Sequence, residues 1–315
     1  MATLDAEARA VLDLIASYGR PTIDLLPLDK AREAARVGYL MLQGPREEVA
    51  SVVDCEMPGP LGPIRLRTYR PAGSRDGAAL PALIFIHGGG FVVMDLECYD
   101  GFARRFANLS HCAVVMVDYR LAPESRFPGP VDESVAAVRW ISANAARLGL
   151  DPARLAVGGD SAGGNLSAVA ALALRGNMEP PLAYQMLIYP ATDLRGTSPS
   201  NSAFGEGYFL TAALMKWFVG QYIARDSDKL DWRASPLLAP SHAGLPPACV
   251  ITCGFDPLQD EGRAYAEKLR AAGVPVTLRD YATQIHGFML MDKPLRQANE
   301  AVAETAAVLK AALSA

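Results

Sequence analysis

No apolar run in this chain is long enough to cross a bilayer. Its strand-like apolar stretches, such as Leu83 to Ile86 and Val114 to Val117, fall far short of the roughly 18 residues that a span needs, so no membrane partner is expected. Runs of lysine and arginine are missing too: 30 basic residues against 34 acidic ones give a formal net charge of -4. That excludes the basic footprint by which proteins hold nucleic acid. The N-terminus, Met1-Ala2-Thr3-Leu4-Asp5-Ala6-Glu7, is acidic and polar where a secretion signal has a basic and then an apolar region, and a soluble, cytoplasmic protein is expected. Cysteine is sparse and odd in number. Cys55, Cys98, Cys112, Cys249 and Cys253 are scattered, mostly inside apolar segments, which predicts buried free thiols of a reducing compartment. Cys249 and Cys253 share one face of a strand, but no His/Cys cluster at ligand spacing completes a metal site there, and neither metal nor cofactor is expected. Histidine is scarcer still, at four.

What is present is core. Half of the 315 residues are hydrophobic, enough for one large domain with an attached lid. Residues 4–18 and 29–42 carry apolar side chains at helical spacing, with Pro21 and Pro27 breaking the connection, and read as two amphipathic helices that either pack on the sheet from outside or cover its active edge. From Glu48 to Tyr69 the texture turns to short β-branched runs around Pro58-Gly59-Pro60-Leu61-Gly62-Pro63, a hairpin. Strands at 82–86, 113–117, 155–158, 184–189, 248–252 and 276–281 then alternate with helices at 96–110, 130–148, 161–174, 259–272 and 294–313. Asp151 to Arg154 reads as a turn and Ala282 to Ile285 as a loop. Such alternation implies parallel strands joined by crossovers and a sheet covered on both faces, an α/β class. The rhythm breaks between 193 and 232, where an aromatic cluster (Phe204, Tyr208, Phe209) and a helix bearing Trp217, Phe218 and Tyr222 form an excursion. The expected organisation is cap helices over 1–47, core over 48–192, a cap excursion over 193–232 and core again over 233–315.

The stretch that orders the rest is Gly159-Asp160-Ser161-Ala162-Gly163. A short buried strand before it and an alanine- and leucine-rich helix after it make a Gly-x-Ser-x-Gly turn, in which the glycines allow close backbone approach and the serine is held in a strained conformation. Serine needs a base to attack at neutral pH, and that base needs an orienting acid. Of the four histidines, His111 at a helix-to-strand junction and His242 in a proline-rich loop read as surface residues, and His87 as a brace for the glycines that follow it. His286, past the end of a strand, is the base. Asp256 occupies the same place one strand earlier, ahead of Asp260 and Glu261, which open a helix where acidic residues are common for dipole reasons alone. The order Ser161, Asp256, His286 is that of α/β-hydrolases. Gly88, Gly89 and Gly90 offer bare amides directly after a strand, and two of these with the amide of Ala162 could hold a developing oxyanion.

His87-Gly88-Gly89-Gly90-Phe91, Asp118-Tyr119-Arg120-Leu121-Ala122-Pro123-Glu124, Gly159 to Asn165, Asp256-Pro257-Leu258 and His286-Gly287-Phe288, in this order, resemble the hormone-sensitive-lipase-like esterases, bacterial family IV of the α/β-hydrolases, over about residues 48 to 313. The resemblance implies an α/β-hydrolase fold with a mostly parallel sheet and a helical cap, and cofactor-free hydrolysis of small-molecule esters of short to medium acyl chains. It implies Ser161, His286 and Asp256 as the triad and Gly88, Gly89 and Ala162 as oxyanion donors, with Gly90 a substitute for one of the loop donors. It also implies a bracing role for Asp118 to Glu124 and, by association, a homodimer. Two other readings stay open: amide or lactone hydrolysis in the same site, and a catalytically silent binding protein, against which the presence of His286 counts.

Overall fold

Strands β1 (Ser51–Met57) and β2 (Ile64–Arg70) form the predicted antiparallel hairpin. Six further strands, β3 (Leu80–Ile86), β4 (Ala113–Asp118), β5 (Leu150–Asp160), β6 (Tyr184–Ile188), β7 (Ala248–Phe255) and β8 (Val276–Ile285), complete one eight-stranded sheet in the order β1-β2-β4-β3-β5-β6-β7-β8. β2 meets β4 antiparallel, and every pair from β4 to β8 is parallel. The structure is a computed structural model describing residues 2–75 and 77–314. The middle strands are continuous apolar runs, such as Ala82 to Ile86 and Ala113 to Val117, and all of these residues are buried, as helices on both sheet faces require.

Helices α1 (Ala6–Ser17) and α2 (Leu28–Met41) precede the sheet; α3 (Leu96–Ser110), α4 (Gly129–Ala143), α5 (Ala162–Leu174), α8 (Gln259–Ala271) and α9 (Arg296–Ala312) flank it, and α6 (Pro199–Ala203) and α7 (Ala212–Tyr222) lie in the excursion. Polar caps fix several starts: Asp5 accepts from the Glu7 and Ala8 amides, and Asp95 from that of Cys98. α5 is apolar around its circumference and is buried along nearly its whole length, the behaviour of a central helix rather than a surface one.

Four expectations need correction. Asp151 to Arg154 lie inside β5: the register jumps from Leu80–Leu150 to Ala82–Leu155, so the turn exists as a bulge, closed by Asp151 Oδ1 accepting the Ala153 amide at 2.9 Å. Ala282 to Ile285 is not a loop but the end of β8, where Ile285 pairs with Phe255. Gly254 makes that possible, because any side chain there would collide with the Ala282 carbonyl. The helix read over 130–148 stops at Ala143, and a short 3-10 turn follows before Gly149 at φ +68°. His242 is buried, its Nε2 lying 3.1 Å from the Pro236 carbonyl and its ring edge-on to Tyr265; the proline-rich loop folds inward over α8, which local composition does not reveal.

The five cysteines are free; Cys98, Cys112, Cys249 and Cys253 are buried, and Cys55 on β1 is half-buried. Burial pushes the Cys98 and Cys249 thiols up to about 12. Among the described residues, no group of three His, Cys, Asp or Glu could hold a metal ion, and no helix is long and apolar enough to cross a membrane.

Candidate active site

β5 runs straight into Ser161, whose φ of +54° is a conformation that a side-chain-bearing residue adopts only when its surroundings enforce it. The enforcement is steric. Side chains at Gly159 or Gly163 would collide with the Ile86 carbonyl, so the two glycines let α5 start hard against β3 with Ser161 at the apex. The Ser161 amide donates to the Ile188 carbonyl at 2.8 Å, pinning the apex to β6.

β7 and β8 end beside that apex and deliver its partners. His286 Nε2 lies 2.9 Å from Ser161 Oγ, and His286 Nδ1 lies 2.8 Å from Asp256 Oδ2. Asp256 is fully buried and its Oδ1 accepts the Leu258 amide at 2.9 Å, so one oxygen is spent on its own turn and the other faces the imidazole. The Tyr189 ring packs 4.8 Å from the imidazole centroid. A hydroxyl, an imidazole and a carboxylate in line at these separations can pass a proton from oxygen to nitrogen while the buried charge steadies the imidazolium. The rival carboxylates are engaged elsewhere: Asp260 accepts the Ser200 amide, and Glu261 accepts those of Thr192 and Asp193, its carboxyl held well above the usual range by burial.

The glycine loop follows β3. Here one expected donor is corrected: the Gly88 amide is already spent, donating to Asp160 Oδ1 and to the Tyr99 hydroxyl oxygen, both at 2.9 Å. Gly89 and Gly90, at φ +101° and +59°, sit in the left-handed region. For their amides and that of Ala162 no acceptor is found among the described residues. His87 is fully buried, its Nδ1 lying 2.8 Å from the Gly88 carbonyl; burial lowers its pKa and so favours the neutral ring. The segment 118–124 closes on the loop from behind. The Tyr119 hydroxyl donates to the His87 carbonyl at 3.0 Å, the Ala122 amide donates to the Phe91 carbonyl at 2.8 Å, and Arg120 pairs with buried Glu133.

Above this floor lies a cavity of about 2180 Å³, roofed by α1, α2 and residues of the 193–232 excursion. The aromatic cluster divides its tasks. Tyr208, Phe209 and Phe218 line the cavity, whereas Phe204 packs edge-on to Phe255, Trp217 lies against Phe218, and Tyr222 stacks on Phe91 at 3.9 Å. The Phe218 ring rests on Gly90 so closely that a side chain there could not fit. Sequence reasoning missed Tyr99, Tyr189 and the side-chain contacts of Asp160; for the two tyrosines the local sequence holds no signal, while Asp160 stood inside the serine motif.

A strained serine between a central parallel strand and a buried helix, with a carboxylate and an imidazole brought in from the ends of two further parallel strands, defines an α/β-hydrolase. A family profile described as alpha/beta hydrolase fold matches residues 83–290. The carboxylic ester hydrolase LipN of Mycobacterium tuberculosis (strain ATCC 25618 / H37Rv) is 42% identical over 298 residues, covering 91% of this chain and 77% of LipN. An ethyl acetate hydrolase of Pseudomonas putida is 36% identical over 95% of this chain and 96% of its own. Among solved structures, the α/β-hydrolase LAE6 from the metagenome of Lake Arreo, Spain, superposes with a TM-score of 0.96 at 47% identity over the full length of both chains. The chain belongs to the hormone-sensitive-lipase-like family, bacterial family IV of the α/β-hydrolases, and is a carboxylic ester hydrolase.

Proposed function

We propose that the chain hydrolyses esters of short to medium acyl chains through an acyl-enzyme formed on Ser161. The observation that carries this reading is the unbroken line of hydrogen-bonding groups from Ser161 Oγ through His286 to Asp256. Ser161 Oγ attacks the ester carbonyl as its proton passes to His286 Nε2, and the carbonyl electron pair becomes an oxyanion. The amides of Gly89, Gly90 and Ala162 hold that charge, aided by the positive end of α5. Collapse breaks the bond to the alcohol, which leaves with the proton from Nε2. Water then repeats the cycle on the acyl-serine, with His286 again the base.

In this reading residues 1–47 and 193–232 act as a cap that bounds the substrate above a core of 48–192 and 233–315. A roof of helices and loops over a pocket lined largely by apolar side chains suits small esters better than long lipid chains. Replacing Ser161 by alanine is expected to lower kcat on p-nitrophenyl butyrate by about five to six orders of magnitude with the fold intact. A Ser161→Ala protein that turned over at the parent rate would remove the proposal. A series from p-nitrophenyl acetate to palmitate is expected to peak at or below about eight carbons; a palmitate optimum would overturn the chain-length part alone.

A further inference from the structure

Asp160 is buried and titratable, and no step above uses it. It stands directly before Ser161, yet its side chain turns back under the glycine loop. Oδ1 accepts the Gly88 amide at 2.9 Å, Oδ2 accepts the Tyr99 hydroxyl at 3.0 Å, and that hydroxyl oxygen is itself 2.9 Å from the Gly88 nitrogen. The three groups close a small ring that holds the loop at Gly88. The loop needs such a hold. Gly89, Gly90 and Phe91 run consecutively through the left-handed region, at φ +101°, +59° and +66°, and a non-glycine residue keeps that conformation only where neighbours over-determine it. No slack exists above or below: a side chain on Gly88 would come within 2.8 Å of Asp160 Oδ2, and Phe218 covers Gly90. Burial pushes the Asp160 carboxyl up to about 6, against the pull of the Tyr99 and Gly88 donors. A carboxylate kept in such a place against the cost of desolvation depends on its two hydrogen bonds.

The amides assigned to the oxyanion come from two separate pieces of chain, Gly89 and Gly90 after β3 and Ala162 at the start of α5. We infer that Asp160 is a positioning residue that locks these two pieces in register: acting through Gly88, it sets the spacing between the loop amides and the helix amide. Because Asp160, Ser161 and Ala162 are consecutive, the nucleophile, one oxyanion donor and the clasp on the other donors move as one unit. This inference rests on the assignment of Ser161 as nucleophile and of the three amides as oxyanion donors.

The test compares the parent chain with Asp160→Ala, Asp160→Asn and Tyr99→Phe, using p-nitrophenyl butyrate as substrate. A trifluoromethyl ketone serves as inhibitor, since its tetrahedral adduct needs the same amides. Losing one oxyanion donor outright costs about 10²–10³ in kcat, so a loosened set is expected to cost about 30- to 100-fold in Asp160→Ala, with KM within about threefold and ketone affinity weakened in parallel. Asparagine keeps an oxygen for the Gly88 amide and is expected to return kcat to within about fivefold of the parent; Tyr99→Phe, which leaves the Oδ1 bond, should lose about three- to tenfold in kcat and ketone affinity together. A kcat for folded Asp160→Ala within threefold of the parent, a loss carried by KM, or an asparagine variant as slow as the alanine one would overturn the inference. Should circular dichroism show Asp160→Ala unfolded, Tyr99→Phe decides: a parallel loss supports the clasp and an unchanged kcat overturns it. A parent chain that hydrolyses no ester would instead overturn the functional reading beneath it.

Discussion

The floor and the roof of the cavity are built to different standards. On the floor, Ser161, Asp256, His286 and the glycine loop are each tied by short hydrogen bonds to buried partners, and Phe91, Met94, Ser161 and Tyr189 all hold positive φ. α5 beneath them is almost wholly buried. In the roof, α1 buries only Ala8 and Val11, α2 only Ala31 and Ala35, and α7 only Tyr222, while Leu14, Val37 and Met41 stand 46–54% exposed. Polar ties join the two levels at several points, among them Arg36 to Asp95, Gln43 to the Cys98 carbonyl, and Ser200 and Asn201 to the Pro257 carbonyl. The most extensive is Arg32 of α2, which donates to the Val92 and Ala122 carbonyls and pairs with Glu124, gripping the back of the loop. In the proposed reading, chemistry is placed where backbone strain and satisfied polar groups fix positions, and selection among substrates where small apolar contacts can be exchanged at low cost.

That contrast can be broken most violently on the floor. His286→Ala is expected to lower kcat about as far as Ser161→Ala, because nucleophile and base act as a unit, and Asp256→Asn to cost about 10⁴ by presenting the wrong hydrogen-bonding group to Nδ1. Steady-state turnover of p-nitrophenyl butyrate checks both, and a loss below tenfold in either would mean that the floor does not do the work assigned to it. Next comes stability. Asp160 has a folded pKa raised from 3.8 to about 6, so the folded chain holds its proton more tightly than the unfolded one; the cost to folding is absent below about pH 4, grows through the window from 4 to 6 and is complete above it. Asp160→Asn removes that cost, on the order of 2–3 kcal/mol, and its Tm should exceed the parent's at pH 8 by several degrees more than at pH 4. Equal Tm differences at the two pH values would show that the carboxylate is not under strain. The smallest effect belongs to the roof: Phe218→Ala opens space above Gly90 and is expected to raise the octanoate-to-butyrate ratio of kcat/KM about tenfold, one or two methylenes' worth of contact. A variant that changed both esters equally would place selection elsewhere.

Much of this was legible in the chain itself, for identifiable reasons. Ser161, Asp256 and His286 could be picked out because a sheet of parallel strands brings the residues just past its strand ends to one edge, however far apart they lie in sequence. The core strands were legible because burial on both faces leaves uninterrupted apolar runs. What escaped depends on contacts that no local pattern encodes. The β5 bulge at Asp151 to Arg154 looks like a turn because it carries turn chemistry, and only pairing with β3 keeps it in the strand. Gly88 was indistinguishable from its two neighbours until Tyr99, from the following helix, and Asp160, from another strand, took up its amide. His242 is drawn inward by packing against Tyr265, a partner 23 residues further along.

Four of the five thiols are sealed in the interior, and the fifth, Cys55, lies on β1, the edge strand at the opposite end of the sheet from β8 and His286. Partial burial raises its pKa, so it should react with maleimide reagents in mildly alkaline buffer, where thiolate forms. A dye, or a bead for immobilised use, would then attach at one defined point and leave the mouth of the catalytic cleft unencumbered.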